Sequence, residues 1–109
     1  MTEYAVVEAH THNGVQVVRI CGEVDLTNAV EVRDAISRVA SADVQVIMID
    51  LTETTYLDSS GIAILFRLAE RVTHRRQELR LVVPPESPLR AALELTGVPQ
   101  LIRVQPAID

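Results

Sequence analysis

The stretch Asp58-Ser59-Ser60-Gly61 decides how this sequence is interpreted, because it stands between a strand pattern and a helix pattern. The apolar run 46–49 comes first, and a turn rich in threonine separates it from Asp58. The apolar run 62–72 follows Gly61 directly. A hydroxyl at the start of a helix is well placed to carry a phosphate, because unpaired backbone N–H groups and the helix dipole favour negative charge there. The stretch therefore indicates a site that is acted upon.

Composition predicts a folded protein with one domain. The chain has 109 residues, of which 48% are hydrophobic and 23% charged, which is typical of a folded chain rather than a disordered one. That length suits a single domain over residues 1–109. No signal-peptide pattern begins the sequence, and no apolar run approaches the roughly 20 residues of a membrane helix. Because the lone Cys21 cannot form an internal disulfide, we expect a cytoplasmic protein without membrane insertion.

Charge and glycine spacing exclude several function classes. The formal net charge is −5, and all ten cations are arginine. Direct nucleic-acid binding needs cations clustered on one face and is therefore not expected. The four glycines form neither a dinucleotide-binding nor a phosphate-loop pattern, so no cofactor is predicted. His10 and His12 could place two imidazoles on one strand face, but no third ligand has a suitable spacing, so no metal site is predicted.

Hydrophobic periodicity predicts five strands and three helices. Asn13-Gly14 marks a tight hairpin turn between the first two strands, and Asn28 with Glu31 forms a plausible capping pair for the first helix. Ser87-Pro88 is predicted to open the third helix, which Gly97 closes. The predicted strands are Tyr4–His10, Val15–Cys21, Val44–Leu51, Leu79–Val83 and Leu101–Val104, and the predicted helices span about 28–40, 60–74 and 87–97.

The order β-β-α-β-α-β-α-β implies an α/β fold. Helices that alternate with strands indicate parallel crossovers, so we expect a mixed, mostly parallel sheet of four to five strands with three main helices. Three segments should then meet at one end of the sheet, where ligands and partners tend to bind in such folds. These segments are Gly22-Glu23-Val24-Asp25, the run 50–56 and Asp58-Ser59-Ser60-Gly61.

Structural and functional interpretations of this constellation both remain open. Asp58 and Ser59 could act only as helix caps, and Gly61 could mark a close approach of backbone. The helix pattern is apolar around most of its circumference, which leaves Ala63 and Ile64 towards the outside beside the serines. That patch is either a binding surface or a surface covered by the packed third helix.

A serine hydrolase is the less favoured chemistry. Ser59 or Ser60 with Asp58 and a histidine could suggest one, but the spacing G-x-S-x-G of a nucleophile elbow is missing. The three histidines fall in strand or late-helix positions, so a triad is not expected.

The sequence resembles the STAS domains of bacterial anti-sigma factor antagonists. The resemblance lies in the run 49–52, in the run 56–65 around Asp58-Ser59-Ser60-Gly61, and in Gly22-Glu23-Val24-Asp25, which is similar to the family's second signature. The order of elements matches over essentially the whole chain. Ala63 stands where the family commonly has a glycine, a departure that leaves the acceptor serine unaffected.

The resemblance implies a partner switch rather than an enzyme. Such a protein binds an anti-sigma factor, releases the sigma factor, and is switched off when that anti-sigma factor, itself an ATP-dependent serine kinase, phosphorylates it; a serine phosphatase resets it. By motif position the acceptor is Ser60, with Ser59 as the alternative. The residues expected to meet the partner are Glu23, Asp25, Asp58, Ser59, Gly61, Ile62, Ala63 and Ile64. A subunit of a lipid-transport ATPase or of a larger signalling assembly is the alternative function, and a weak homodimer is left open.

Overall fold

The computed structural model describes residues 5–109, in which six strands and four helices follow one another along the chain. No helix in this range is long and apolar enough to cross a membrane. The elements are β1 Ala5–His12, β2 Val15–Val24, α1 Ala29–Val39, β3 Val46–Asp50, β4 Thr54–Leu57, α2 Ser59–His74, β5 Glu78–Val82, α3 Arg90–Leu95, α4 Val98–Leu101 and β6 Arg103–Gln105.

The sheet is mixed and mostly parallel, as predicted. Its order is β1-β2-β3-β5-β6, with β4 beside the carboxyl half of β2. Only β1 and β2 pair antiparallel among these strands. Positive φ angles of 52° at Asn13 and 79° at Gly14 confirm the predicted tight turn between them. Tyr4, the predicted first residue of β1, lies outside the described residues.

The main core lies between one face of the sheet and the helices. Alternate residues of a strand point to opposite faces, so Ile47 and Ile49 of β3 enter this core while Met48 faces the other way. Helix α1 contributes Val32 and Ile36, both from the apolar stripe that the i, i+3, i+4, i+7 spacing of hydrophobic residues within 32–40 predicts. On the opposite face a smaller cluster is formed by Val17, Met48 and Val82 with Val15 and Ile108 packed against it.

Strand β4 was not predicted, because its four residues were interpreted as a threonine-rich turn. Thr54, Thr55 and Tyr56 are β-branched or aromatic and suit a pleated strand. The buried Thr54 hydroxyl donates to the Ile20 carbonyl at 2.6 Å, which ties β4 to β2. The structure therefore has one strand more than the sequence predicts.

The predicted start of the third helix, at Ser87-Pro88, is wrong. Helix α3 begins at Arg90, and the Ser87 hydroxyl instead accepts from the Leu89 N–H at 3.1 Å within the preceding turn. Gly97 closes α3 with φ of 82°, as predicted. The short α4 then takes up Leu101, which had been assigned to the last strand.

Gly61 allows α2 to start directly against the sheet. A Cβ placed on Gly61 would collide with the side chain of Leu57 and lie 3.2 Å from Val24 Cγ1. Both neighbours are buried ends of parallel strands, so neither can move without disturbing the core. The structural interpretation of Gly61, a close approach of backbone, is confirmed.

We expect Gly61→Ala to lower the free energy of unfolding by about 1–3 kcal/mol, the usual cost of an extra methyl group in a packed site. Chemical denaturation monitored by circular dichroism measures it. Ser59→Ala is the matched control, since it places the same residue at an exposed position of the same helical turn. Equal stability of the two variants would contradict the role assigned to Gly61.

Candidate functional site

The site lies where β2 and β4 end side by side. These strands are parallel neighbours, and Val24 pairs with Leu57 in their register. The Asp58 N–H donates to the Val24 carbonyl at 3.2 Å, so the loop after β2 and the start of α2 are in direct contact. Two of the three predicted segments therefore meet as expected.

The third predicted segment is the run 50–56, and only its last residues reach the site. Asp50 pairs in register with Arg19, five residues before Val24, which is about 16 Å back along β2. There Asp50 is buried beside the Arg19 guanidinium, with Nε at 3.4 Å from Oδ2. Tyr56 by contrast pairs with Glu23 and is exposed at the edge of the site.

The Asp58 carboxylate joins the two arms of the site. Its Oδ1 accepts from the N–H groups of Ser60 at 2.9 Å and Gly61 at 3.2 Å, which caps α2. Its Oδ2 accepts from the Leu26 N–H at 3.1 Å in the loop after β2. Asp58 is therefore the helix cap considered in the sequence, and it also fixes the loop to the helix.

Asn28 holds the Gly22-Glu23-Val24-Asp25 segment in place. It is fully buried; its Oδ1 accepts from the Asp25 N–H at 2.9 Å and its Nδ2 donates to the Glu23 carbonyl at 2.8 Å. The predicted capping pair of Asn28 with Glu31 is wrong, because the Asn28 side chain makes no cap hydrogen bond to α1. The amide serves the loop because it offers a donor and an acceptor to two buried backbone groups at once.

Asp25 is stabilised as an anion within the loop. Its Oδ1 accepts from the Thr27 hydroxyl at 2.5 Å and the Thr27 N–H at 2.9 Å. The Thr27 hydroxyl first, and then the backbone N–H groups of Thr27 and Asn28, hold the pKa of Asp25 below its ordinary value. The loop therefore carries a fixed negative charge beside Asp58.

The two candidate acceptor serines differ in their surroundings. Ser59 is exposed on the first turn of α2, and Ser60 is half-buried and borders a groove between α1 and α2. Within residues 5–109 neither hydroxyl makes a hydrogen bond, although the Ser60 N–H is held by Asp58. The backbone of Ser60 is thus fixed by Asp58, while its hydroxyl has no hydrogen-bond partner among these residues.

The groove beside Ser60 combines an apolar floor with cationic rims. Ile64 lies in its floor. The other lining residues are Ala29, Val30 and Arg33 from α1 and Ser60, Ala63 and Arg67 from α2. The site is acidic at the start of α2, through Asp25 and Asp58, while Arg33 and Arg67 border the groove further along the two helices.

The exposed apolar surface differs from the predicted patch. Ile62 and Ile64 are only 8% and 6% exposed, so the prediction that Ile64 faces outward is wrong, and Ala63 alone of the three is exposed. Ile64 is buried because α1 packs beside α2, a contact between helices that periodicity within α2 does not contain. Leu26 and Val30, 78% and 58% exposed, extend the surface instead. Val30 lies outside the apolar stripe of α1, and this is the signal that could have identified it.

Removing the charge of Asp58 should loosen the joint that it makes. Asp58→Ala loses the cap and the bond to Leu26, so we expect a loss of about 0.5–2 kcal/mol or more in the free energy of unfolding. The stability of Asp58→Asn should fall between those of Asp58→Ala and the parent. Its amide oxygen can still cap α2, but its NH₂ group cannot accept the hydrogen bond from the Leu26 N–H. Urea denaturation checks the order, with the exposed Asp43→Ala as control. An Asp58→Ala variant as stable as Asp43→Ala would refute it.

Thr27→Val should raise the pKa of Asp25 towards its ordinary value, because the hydroxyl is the largest cause that lowers it. When folding lowers the pKa of a carboxyl group, that group stabilises the folded state at a pH above its pKa in the unfolded chain. This contribution to the free energy of unfolding is lost as the pH falls through the pKa of the folded state. The variant should therefore show a smaller loss of stability in that acidic window. NMR titration of the Asp25 carboxyl measures the shift, and Thr73→Val, on the far turn of α2, should leave it unchanged.

Comparison with known proteins agrees with this architecture. The family model described as the STAS domain matches residues 6–109. The anti-sigma-F factor antagonist of Mycobacterium tuberculosis is 33% identical over 94 residues, which cover 85% of this chain and 75% of that protein. The crystal structure of an anti-sigma factor antagonist from Mycobacterium paratuberculosis has a TM-score of 0.84 and 27% identity, covering 96% of this chain and 88% of the other.

A more distant structure adds to the fold comparison alone. The Bacillus cell fate determinant SpoIIAA in its phosphorylated form is 18% identical, with a TM-score of 0.61, and the match covers 92% of this chain and 91% of that one. The relatives with stated organisms are bacterial, and the family consists of regulatory binding proteins rather than enzymes. The chain belongs to the STAS domain family, among its anti-sigma factor antagonists.

Proposed function

We propose that this protein, when unphosphorylated, binds an anti-sigma factor in the bacterial cytoplasm and thereby releases a sigma factor. The anti-sigma factor is also the serine kinase that ends the complex by phosphorylating Ser60, and a serine phosphatase restores the binding form. The observation that carries the proposal is the Ser60 hydroxyl, which borders the groove between α1 and α2 without a hydrogen-bond partner among residues 5–109. The phosphorylated form of the distant relative SpoIIAA supports it.

The docking surface is built from two kinds of residue around this serine. Exposed Leu26, Val30 and Ala63 supply apolar contact, and Glu23 with Asp25 supplies charge. The remaining expected partner-binding residues are Asp58, Ser59, Gly61, Ile62 and Ile64. Of these, Ser59 lies at the rim, while Asp58, Gly61, Ile62 and Ile64 act mainly by fixing the surface, through the cap, the close backbone approach and the packing beneath.

Phosphorylation acts through charge at this surface. The Ser60 oxygen attacks the γ-phosphorus of ATP, a new P–O bond forms, the bond to the β-phosphate oxygen breaks, ADP leaves, and the hydroxyl proton passes to a base or to water. The product adds about −1.5 to −2 charge at pH 7 beside Asp58 and Asp25. A partner that docks on this surface must remove water from that charge, which costs several kcal/mol, and about 1.4 kcal/mol is tenfold in affinity. The frame of the domain stays unchanged, since the phosphate stands at a helix N-terminus.

The acceptor is tested with the cognate anti-sigma factor and ATP, followed by mass spectrometry of the modified residue. We expect one phosphate on Ser60, none on Ser60→Ala, and normal modification of Ser59→Ala. Phosphate found only on Ser59, or only elsewhere, would reject the assignment.

The charge mechanism is tested by affinity for the same partner. Ser60→Asp should weaken binding by about tenfold or more, which corresponds to about 1.4 kcal/mol. Ser60→Ala should bind like the parent and stay bound in the presence of ATP. Ser59→Asp, one position outside the groove, is the matched control and should weaken binding less. Equal affinities for the parent and Ser60→Asp would count against charge as the cause.

A further inference from the structure

Two arginines border the same groove as Ser60, and the proposed switch so far gives them no role. Arg67 is exposed on α2, and among residues 5–109 it makes no ion pair or hydrogen bond. Arg33 on α1 is bound to its sequence neighbour, with Nε at 3.2 Å and Nη2 at 3.1 Å from the Asp34 Oδ1. Among the described residues, the groove thus holds one guanidinium without a partner and one that pairs with its half-exposed sequence neighbour.

Both guanidinium groups can approach an anion attached to Ser60. Arg67 follows Ser60 by seven residues, which is about two turns and roughly 10 Å along the axis on the same helix face. Side chains of a helix lean towards its N-terminus, so the long Arg67 side chain extends back along the groove towards Ser60. Between them on this face stands Ala63, whose single methyl group leaves the path open. Arg33 borders the same space from α1.

The bond of Arg33 to Asp34 does not remove it from this role. A surface ion pair contributes little to stability because water and salt screen it. A guanidinium has five N–H donors, and only two of those of Arg33 are used. A phosphate dianion offers more charge and more acceptor atoms than one carboxylate, and guanidinium groups bind it through parallel hydrogen bonds.

The acidic end of the site directs the phosphate towards the arginines. The Asp58 carboxylate accepts three backbone N–H groups, and the Asp25 carboxylate accepts from Thr27, so hydrogen bonds hold both carboxylates in place near the start of α2. Repulsion from these two carboxylates and attraction from Arg33 and Arg67 act in the same direction, into the groove.

We propose that the phosphate on Ser60 turns into the groove between α1 and α2 and pairs there with the guanidinium groups of Arg67 and Arg33. This inference rests on the proposed function of Ser60 and specifies how the modified form is held. The phosphate then covers Ala63 and Val30 and engages the two cations that border the groove, so the modification blocks this part of the docking surface by occupying it. Arg33 and Arg67 are positioning residues for the phosphorylated state.

The test uses the protein alone, with phosphoserine inserted at position 60 during translation so that no kinase is required. Titration followed by ³¹P NMR gives the second pKa of the phosphate, which nearby cations lower. Arg67→Gln and Arg33→Gln should each raise it by roughly 0.2–0.7 unit, the size expected for loss of one exposed ion pair. Arg38→Gln, an exposed arginine of α1 outside the groove, is the matched control and should leave it unchanged.

A second control places the phosphoserine at position 59, outside the groove, where neither groove arginine should affect its pKa. The proposal is supported if Arg67→Gln and Arg33→Gln raise the second pKa of the phosphate at position 60 and leave that of the phosphate at position 59 unchanged. An unchanged pKa in both groove variants overturns it, even if a kinase modifies Ser60 and the proposed function stands. Failure of the proposed function itself would be seen separately, as the absence of phosphate on Ser60 in the kinase assay.

Discussion

The carboxylate of Asp58 is the constraint on which the site depends. It is the point where the first turn of α2 and the loop after β2 are joined, through three backbone N–H groups that it accepts at 2.9–3.2 Å. Without it the helix end would lack its cap and the loop would lack its anchor to the helix. The buried amide of Asn28 completes the arrangement by holding the other side of the loop. Ser60 therefore stands on a frame whose backbone hydrogen bonds are satisfied before any partner arrives.

A frame of this kind favours a switch that acts locally. Gly61 packs the start of α2 closely against β2 and β4. A change of charge at the surface is therefore not expected to move this part of the helix. A phosphate at a helix N-terminus is also compatible with the folded state, because the dipole there favours negative charge. In the proposed switch the cost of phosphorylation therefore falls on binding rather than on folding, which is how a local modification can change an interface.

Sequence patterns predicted most of the architecture and the contact between the loop after β2 and the start of α2, and they failed where tertiary contacts decide. Periodicity within one element identified the hairpin at Asn13-Gly14 and the buried stripe of α1, because each depends on local chemistry. It missed β4, whose threonines suit both a turn and a strand until β2 offers a pairing edge. It placed Ile64 outside, because the neighbouring α1 is not visible from α2 alone. Leu26 and Val30 were overlooked for the same reason, since their exposure follows from how the loop and α1 are positioned.

The modest size of the apolar surface supports the proposal that a single phosphate decides binding. Leu26, Val30 and Ala63 are few, so the hydrophobic contribution of their burial, at about 25 cal/mol per Å², is limited. Association also costs translational freedom and side-chain entropy, and only the surplus appears as affinity. When that surplus is small, the several kcal/mol needed to remove water from a phosphate are enough to reverse it. A broad apolar interface would bind more tightly, but one phosphate could not release it; a small apolar surface with charges at its rims is therefore the arrangement that a reversible switch requires.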